Sequence, residues 1–381
     1  MSKRQNIIVA VVVLCALAFV WWFYNRNEKS VIFRVSNPCT FQRSNELVEV
    51  PFSLLGVKSV NNMVLIDSLE REIPYQATDH SILFQTTVDS CGISVYRLRK
   101  GNPAVPLYKV YARFVPERKD DFAWENDIAA YRMYGPALAA ENPSNGVDLW
   151  LKKTDELIVD TFYYREHELG LPYHVDYGKG LDCYKVGHTV GCGGVALLHN
   201  DSLYIGNHYD RWNIVEAGPL RTIFELYYDS VTLDSLTLQQ TLRITVSAGS
   251  VLNKAEVTYN GENVDDLRVA AGIYLHKDSL SAIKTGMPME RWIAYSECAV
   301  SDAGLDVGRD FVGVVMPQGD MAEMKDGSFI ITQPYQTNST ITYYFGGGWS
   351  QWLFPSDTDW FNAIHYASLQ ISNPLQIELV D

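Results

Sequence analysis

The chain has 381 residues, a net charge of −14 and 12% aromatic residues. Setting aside residues 1–30, which hold four basic residues and one acidic one, takes that charge to −17. So acidic a surface, with no basic cluster to offset it, repels a nucleic-acid backbone and excludes that class of partner. Six cysteines without a Cys-x-x-Cys pair are too few for a disulfide scaffold and argue against a zinc ribbon.

The first segment, "IIVAVVVLCALAFVWWF" at 7–23, carries no charge and has about the length of a bilayer-spanning helix. Lys3 and Arg4 precede it, so the amino end stays cytoplasmic and the bulk is exported to the periplasm. A cleaved signal peptide has a shorter apolar core and a small-residue cleavage site, whereas Trp21, Trp22 and Phe23 suit an interfacial anchor. Residues 1–30 therefore read as a signal anchor associated with the membrane, with a cleaved signal peptide as the alternative.

From Val31 the runs "VIFRVSN", "ELVEVPF", "NMVLID", "SILFQTTV", "ISVYRLRKG" and "PLYKVYARFVPE" are short, β-rich and separated by Asn, Pro, Asp and Ser. They predict a small β subdomain over 31–115, with "PERKDD" (116–121) opening a larger domain to 381. Cys39 and Cys91 flank the early strands; they either pair after export or stay free. Further strands are expected at 127–134, 157–165, 194–199, 202–206, 221–231, 236–248, 252–259, 267–275, 291–298, 310–316 and 339–346. "LRITVSA" shows the alternation of a half-buried strand. One helix is expected at 358–370, capped by Thr358 or Asp359. Many antiparallel strands with little helix predict an all-β chain, a large antiparallel β-sandwich behind a small N-terminal β subdomain.

The stretch "DYGKGLDCYKVGHTVGCGGVAL" (176–197) combines six glycines with Asp176, Asp182, Tyr177, Tyr184, Lys179, Lys185 and His188. It has neither a Gly-Lys-Ser/Thr ending nor a Gly-x-Gly-x-x-Gly, and the chain has no Gly-x-Ser-x-Gly. His174, Asp176, Asp182 and His188 lie within fifteen positions, which leaves a divalent metal open, but no His-Glu-x-x-His or calcium loop is present. No organic cofactor is implied. Polar residues of a ligand cleft are the simpler reading, and the glycines let the backbone turn tightly and approach a ligand closely.

Around this stretch lie Trp124, Asn126, Tyr131 and Arg132, then Tyr173 and His174, then Asn207, His208, Tyr209 and Arg211. "FGGGWSQW" (345–352) reads as a flexible loop carrying Trp349 and Trp352. Flat aromatic faces beside planar polar groups suit a sugar, with Arg132, Trp124, Asn126, Asp176, Tyr177, Asn207, Arg211, Trp349 and Trp352 as binding candidates. With 23 tyrosines and 9 tryptophans many rings must be core, and Arg132 has Glu125 or Asp127 as structural partners.

"PERKDDFAWENDIAAYRMYGPAL", "VDYGKGLDCYKVGHTVGCGGVAL", "FGGGWS" and "VSNPCTFQRSNELVEVPF" resemble an uncharacterised-domain family of glycan-degrading bacteria, over nearly all of 31–381. Its members are similar in fold to galactose mutarotase and to the super-sandwich of polysaccharide lyases. One branch resembles an oligosaccharide dehydratase that removes water from the non-reducing-end uronic acid of ulvan fragments. Cys192 interrupts the glycine cluster where a small residue such as alanine is expected. The resemblance implies a carbon–oxygen lyase acting on anionic oligosaccharides.

Elimination across C4 and C5 of a uronate needs a neutralised carboxylate, a base at C5 and an acid at the C4 oxygen. Arg211, Lys185 or a metal suits the first need, and Arg grips a carboxylate in two places. His188, His174 or a deprotonated Tyr184 suits the second, histidine being favoured because tyrosine ionises near ~10. Tyr177 or Tyr209 suits the third. A glycoside hydrolase using Glu125, Asp127, Asp176 or Asp182 is the enzymatic rival, and a sugar-binding module using Trp124, Trp349 and Trp352 the non-enzymatic one.

Overall fold

The computed structural model describes residues 30–141, 146–234, 236–261, 267–276 and 282–380. The expected anchor at 7–23 lies outside them. Among the described residues no helix is long and apolar enough to cross a membrane.

Alternation builds the N-terminal layers. In Val31–Ser36 the buried positions are Phe33 and Val35, two apart, as a strand with one buried face requires. A four-stranded sheet runs Gln376–Leu379, Val31–Ser36, Ile93–Lys100, Met63–Asp67. A three-stranded sheet of Arg43–Pro51, Ser81–Val88 and Gln76–Ala77 faces it. Phe33, Val48, Val50, Ile82, Phe84 and Leu98 fill the space between the two. One strand of this unit thus comes from the far end of the chain.

The larger part is a sandwich of antiparallel sheets. One layer has eight strands in the order Arg211–Ala217, Arg221–Leu233, Leu236–Ser247, Asn253–Asn260, Ile341–Trp349, Asp306–Val315, Trp292–Val300, Ile283–Thr285. Two five-stranded sheets share a single apolar core with it. The first runs Gly180–Asp182, Val147–Lys152, Ala130–Met133, Asp121–Asn126, Val110–Val115. The second runs Ser202–Ile205, Cys192–His199, Arg268–Tyr274, Ser328–Pro334, Met321–Lys325. The all-β sandwich expected from the strand density is what the chain forms.

The expected helix near the carboxyl end is Asp357–Ser372, capped not by Thr358 or Asp359, which lie in its first turn, but by the Ser356 hydroxyl, which accepts from the Asp359 amide. Its Trp360 and Ile364 lie on Gly348 and Gly313 of the eight-stranded sheet. Two further expectations fail. Residues 157–165 are not a strand: Val159–Leu169 is a helix that buries Val159, Phe162 and Tyr163, the i, i+3, i+4 spacing of one helix face. Its short apolar run is ambiguous between the two periods until the layer beneath it is known. The "FGGGW" segment is not a flexible loop but part of an inner strand of the eight-stranded sheet. Its glycines are there because the layers touch: a Cβ on Gly347 would stand 2.4 Å from the Leu149 side chain.

Candidate functional site

The first five-stranded sheet buries a different chemistry on each face. Phe122, Trp124, Tyr131, Met133, Leu149 and Leu151 enter the apolar core. The alternate positions, Asp121, Glu125, Arg132, Asp148, Lys152 and Asp182, lie on the other face beneath the helix 159–169. Register brings them together. Asp148 pairs directly with Arg132, and Asp182 with Trp150, two positions further along the same face.

Arg132 is the hub. Its Nη2 lies 2.6 Å from Asp148 and 3.0 Å from Asp182, and its Nη1 lies 3.7 Å from Asp121. The Tyr173 hydroxyl accepts from Nη1 at 3.0 Å, and the Tyr134, Trp150 and Tyr173 rings surround the guanidinium. Burial pushes the Asp121 carboxyl up to about 6, against the pull of Arg132 and Arg118. Burial, aided by Asp148, pushes Asp182 well above the carboxylate range. Beside this hub, Lys152 and Glu125 form a fully buried pair at 2.8 Å. Glu125 also accepts the Ile158 and Val159 amides at 2.8 Å, which places an anion at the helix N-terminus where the helix dipole favours it.

From Asp182 the glycine-rich stretch carries the chain out of the first five-stranded sheet and into the second at Cys192. Gly180 (φ +133°) and Gly191 (φ +60°) are demanded by the crossing, since a Cβ would meet the Leu151 carbonyl at 1.9 Å and the Val147 carbonyl at 2.3 Å. Between them two histidines hang on the backbone. His174 Nδ1–H donates to the Asp182 carbonyl at 2.9 Å and stands 3.7 Å from the Asp302 carboxylate. Asp302 in turn holds Lys185 at 2.5 Å, and that bond keeps the Asp302 carboxyl below its ordinary range. The Lys185 carbonyl pairs with His276 Nε2, whose Nδ1 faces the Glu297 carboxylate at 2.5 Å. Both ring nitrogens of His276 thus face acceptors, so both carry hydrogens and the ring is an imidazolium. The hydrogen bond to Glu297 accordingly raises its pKa, against the burial that would lower it.

Behind His276 lies an acid pair. Glu297 and Asp310 are direct cross-strand partners in the eight-stranded sheet. Burial and the Glu297 charge push the Asp310 carboxyl up to about 8, so it is largely protonated at neutral pH. Among the described residues, Asp310 Oδ1 and the Tyr184 hydroxyl are buried without a hydrogen-bond partner, as are Asp121 Oδ2 and Arg132 Nε of the first cluster. Tyr184 meets the His276 ring edge-on at 4.9 Å. Trp349, paired with Asp310 across the sheet, lies under the Lys153 ammonium, which also binds Asp176.

The structure therefore gathers His174, Asp176, Tyr184, Lys185, Arg132 and Trp349 at one end of the sandwich. Tyr184 is there as a neutral phenol, because burial and nearby carboxylates drive its pKa well above 10, which removes the deprotonated base considered from sequence. Arg132 meets three aspartates other than its expected partners Glu125 and Asp127. The remaining candidates sit elsewhere. Arg211 is on the edge strand of the eight-stranded sheet, its side chain 63% exposed and paired with Asp229. Asn207 donates to the Ser230 carbonyl, and Tyr209 is buried against Phe122 with its hydroxyl on the Asp120 carbonyl. Trp124 is core, and Asn126 ties a hairpin to the Ser247 and Ser250 carbonyls. His188, Tyr177 and Trp352 are exposed on turns, Tyr177 beneath the Arg165 guanidinium. Among the described residues no group of three or more His, Cys, Asp or Glu side chains is arranged to hold a metal.

Sequence reading missed Asp148, His276, Glu297, Asp302 and Asp310. A usable signal existed for two of them: Asp148 and Glu297 are each the one acid of a largely apolar strand, in "VDLWLK" and "WIAYSECAV".

The chain is similar to an uncharacterized protein, P7, of Formosa agariphila, 28% identical over 378 residues that cover 91% of this chain and 93% of the other. Among solved structures it is similar to a glycosyl hydrolase family 38 protein from Enterococcus faecalis, at 9% identity and a TM-score of 0.49 over 92% of this chain. An alpha-mannosidase from Enterococcus faecalis matches with a TM-score of 0.44 at 9% identity, again over 92% of this chain. The chain spans about half the length of these two structures, 47% and 46%. A family model matches residues 35–377, and the chain belongs to that family, described as a domain of unknown function, DUF4861.

Proposed function

We propose that the chain is a carbohydrate-active carbon–oxygen lyase that removes water across C4 and C5 of a uronic acid at the end of an anionic oligosaccharide. One observation carries this reading: the four-residue segment Asp182–Lys185 fixes a histidine at each end through its carbonyls, with a lysine ammonium on the same rim. At most about 10 Å of backbone separates those anchors, the scale of a single sugar ring with its substituents. In this reading the His276 imidazolium and Lys185 neutralise the uronate carboxylate as negative charge develops on it. His174, at the rim, takes the C5 proton. Tyr184, a neutral phenol buried against the His276 ring and without a hydrogen-bond partner among the described residues, is the acid assigned to the departing C4 oxygen. The acidic surface does not oppose an anionic substrate, because the local charge at the rim is what the substrate meets.

The adjacent carboxyls Glu297 and Asp310, the latter pushed up to about 8, favour a second reading as an acid and nucleophile pair of a glycoside hydrolase. Product masses from uronate oligosaccharides incubated with the full-length protein separate the two. Loss of one water with new ultraviolet absorbance supports the lyase, gain of water the hydrolase, and unchanged masses across such substrates remove both.

A further inference from the structure

The N-terminal sandwich holds two cysteines that the site does not use. Cys39 is buried in the loop after the first strand, and Cys91 is exposed on the turn between Ser81–Val88 and Ile93–Lys100. The Cys91 amide donates to the Cys39 carbonyl at 2.8 Å, and the Cys91 sulfur lies 3.5 Å from that same oxygen. With ordinary bond lengths, this hydrogen bond alone confines the two Cα atoms to within about 6.7 Å of each other. Disulfides span Cα separations of about 4.4–6.8 Å. The other three described cysteines, Cys183, Cys192 and Cys298, lie in the large sandwich.

We propose that Cys39 and Cys91 form a disulfide when the protein meets a thiol–disulfide oxidant. Accessibility sets the order of events. The exposed Cys91 attacks a sulfur of the oxidant's disulfide as a thiolate, forming a mixed disulfide and releasing one thiol. The Cys39 thiolate then attacks the Cys91 sulfur and expels the second thiol. The protein's two thiols are oxidised, the oxidant's disulfide is reduced to two thiols, and the two cysteine protons end on them.

The bridge fastens the loop that grips the C-terminal helix. Arg43, four residues after Cys39, donates to the Asn373 carbonyl at 2.9 Å, just past that helix's end. Phe41 packs on Tyr366 of the same helix with ring centroids 4.6 Å apart. Closing a loop of some fifty residues restricts the unfolded chain, so the bond stabilises the sandwich and this grip together.

The test treats the full-length protein with oxidised glutathione, blocks remaining thiols with an alkylating agent and maps peptides without reduction. The expected result is a linked Cys39–Cys91 peptide two hydrogens lighter than its reduced parts, with Cys183 and Cys192 alkylated after unfolding. Reductant should then lower the melting temperature of the oxidised protein by several degrees and leave that of Cys91→Ser unchanged. Cys91 recovered as its alkylated or glutathione adduct, with Cys39 free, overturns the proposal. So does an equal response to reductant in the wild type and Cys91→Ser.

Discussion

Two buried charge clusters lie at the same end of the sandwich, and they are built to different rules. Around Arg132, Asp148 and Asp182 lie on the guanidinium, Asp148 also accepts the Leu149 amide and Trp150 Nε1, and Asp121 accepts the Gly135 amide. Rings and the helix 159–169 close this cluster off from solvent. Around His276 the cation is a titratable ring: the imidazolium serves Glu297, while Asp310 keeps a proton at neutral pH. The contrast teaches that burial of charge alone does not mark a reactive site. Both clusters leave buried polar atoms without a partner among the described residues, Asp121 Oδ2 and Arg132 Nε in the first and Asp310 Oδ1 in the second, so what separates them is the cation at the centre: a guanidinium that does not titrate against an imidazole that can.

The largest effect should come from breaking the Arg132 cluster. Arg132→Met leaves Asp148 and Asp182 without their guanidinium and Asp121 with Arg118 alone, and removing one partner of such a buried pair costs about 3–5 kcal/mol. Denaturant unfolding should show that loss, and wild-type stability would deny the scaffold role. Next comes Asp310→Asn, which sharpens the comparison through pH. A carboxyl whose folded pKa is raised to about 8 contributes stability that is complete below its unfolded value near 3.8 and is lost as pH rises to 8. Asparagine removes that penalty. The variant should match wild type at pH 4 and melt higher at pH 8, with a flatter profile between. Asp121, shifted up to about 6 for the same reason, keeps some slope in both proteins. The smallest effect is expected from Arg211→Ala. Its exposed pairing with Asp229 touches neither cluster, so melting temperature and turnover should both stay near wild type.

Much of the strand pattern was legible because alternation is local: the runs at 221–231, 236–248 and 252–259 fall within one or two residues of the observed strands. The stretch 176–197 announced itself through its glycines, five of which take a positive φ that side chains rarely adopt. The partners of that stretch were not legible. His276 reaches the Lys185 carbonyl from 91 residues away, and Asp310 faces Glu297 only through strand register. Arg211 misled for the converse reason. Its sequence neighbours His208 and Tyr209 suggested a site, but register put it on an edge strand. The helix 159–169 was misread because what selects its period is the Trp150 surface below and the Glu125 carboxylate at its start, both supplied by other strands.

The central claim is that proton transfer takes place at the rim formed by His174, Lys185 and His276. Its most direct test is turnover of uronate oligosaccharides by His174→Ala beside wild type, with the melting temperature of each. His174 is partly exposed, so the variant should fold and melt near wild type. Its turnover should fall by about 10²–10⁴-fold, the usual contribution of a general base. Wild-type turnover in a folded His174→Ala protein would contradict the account.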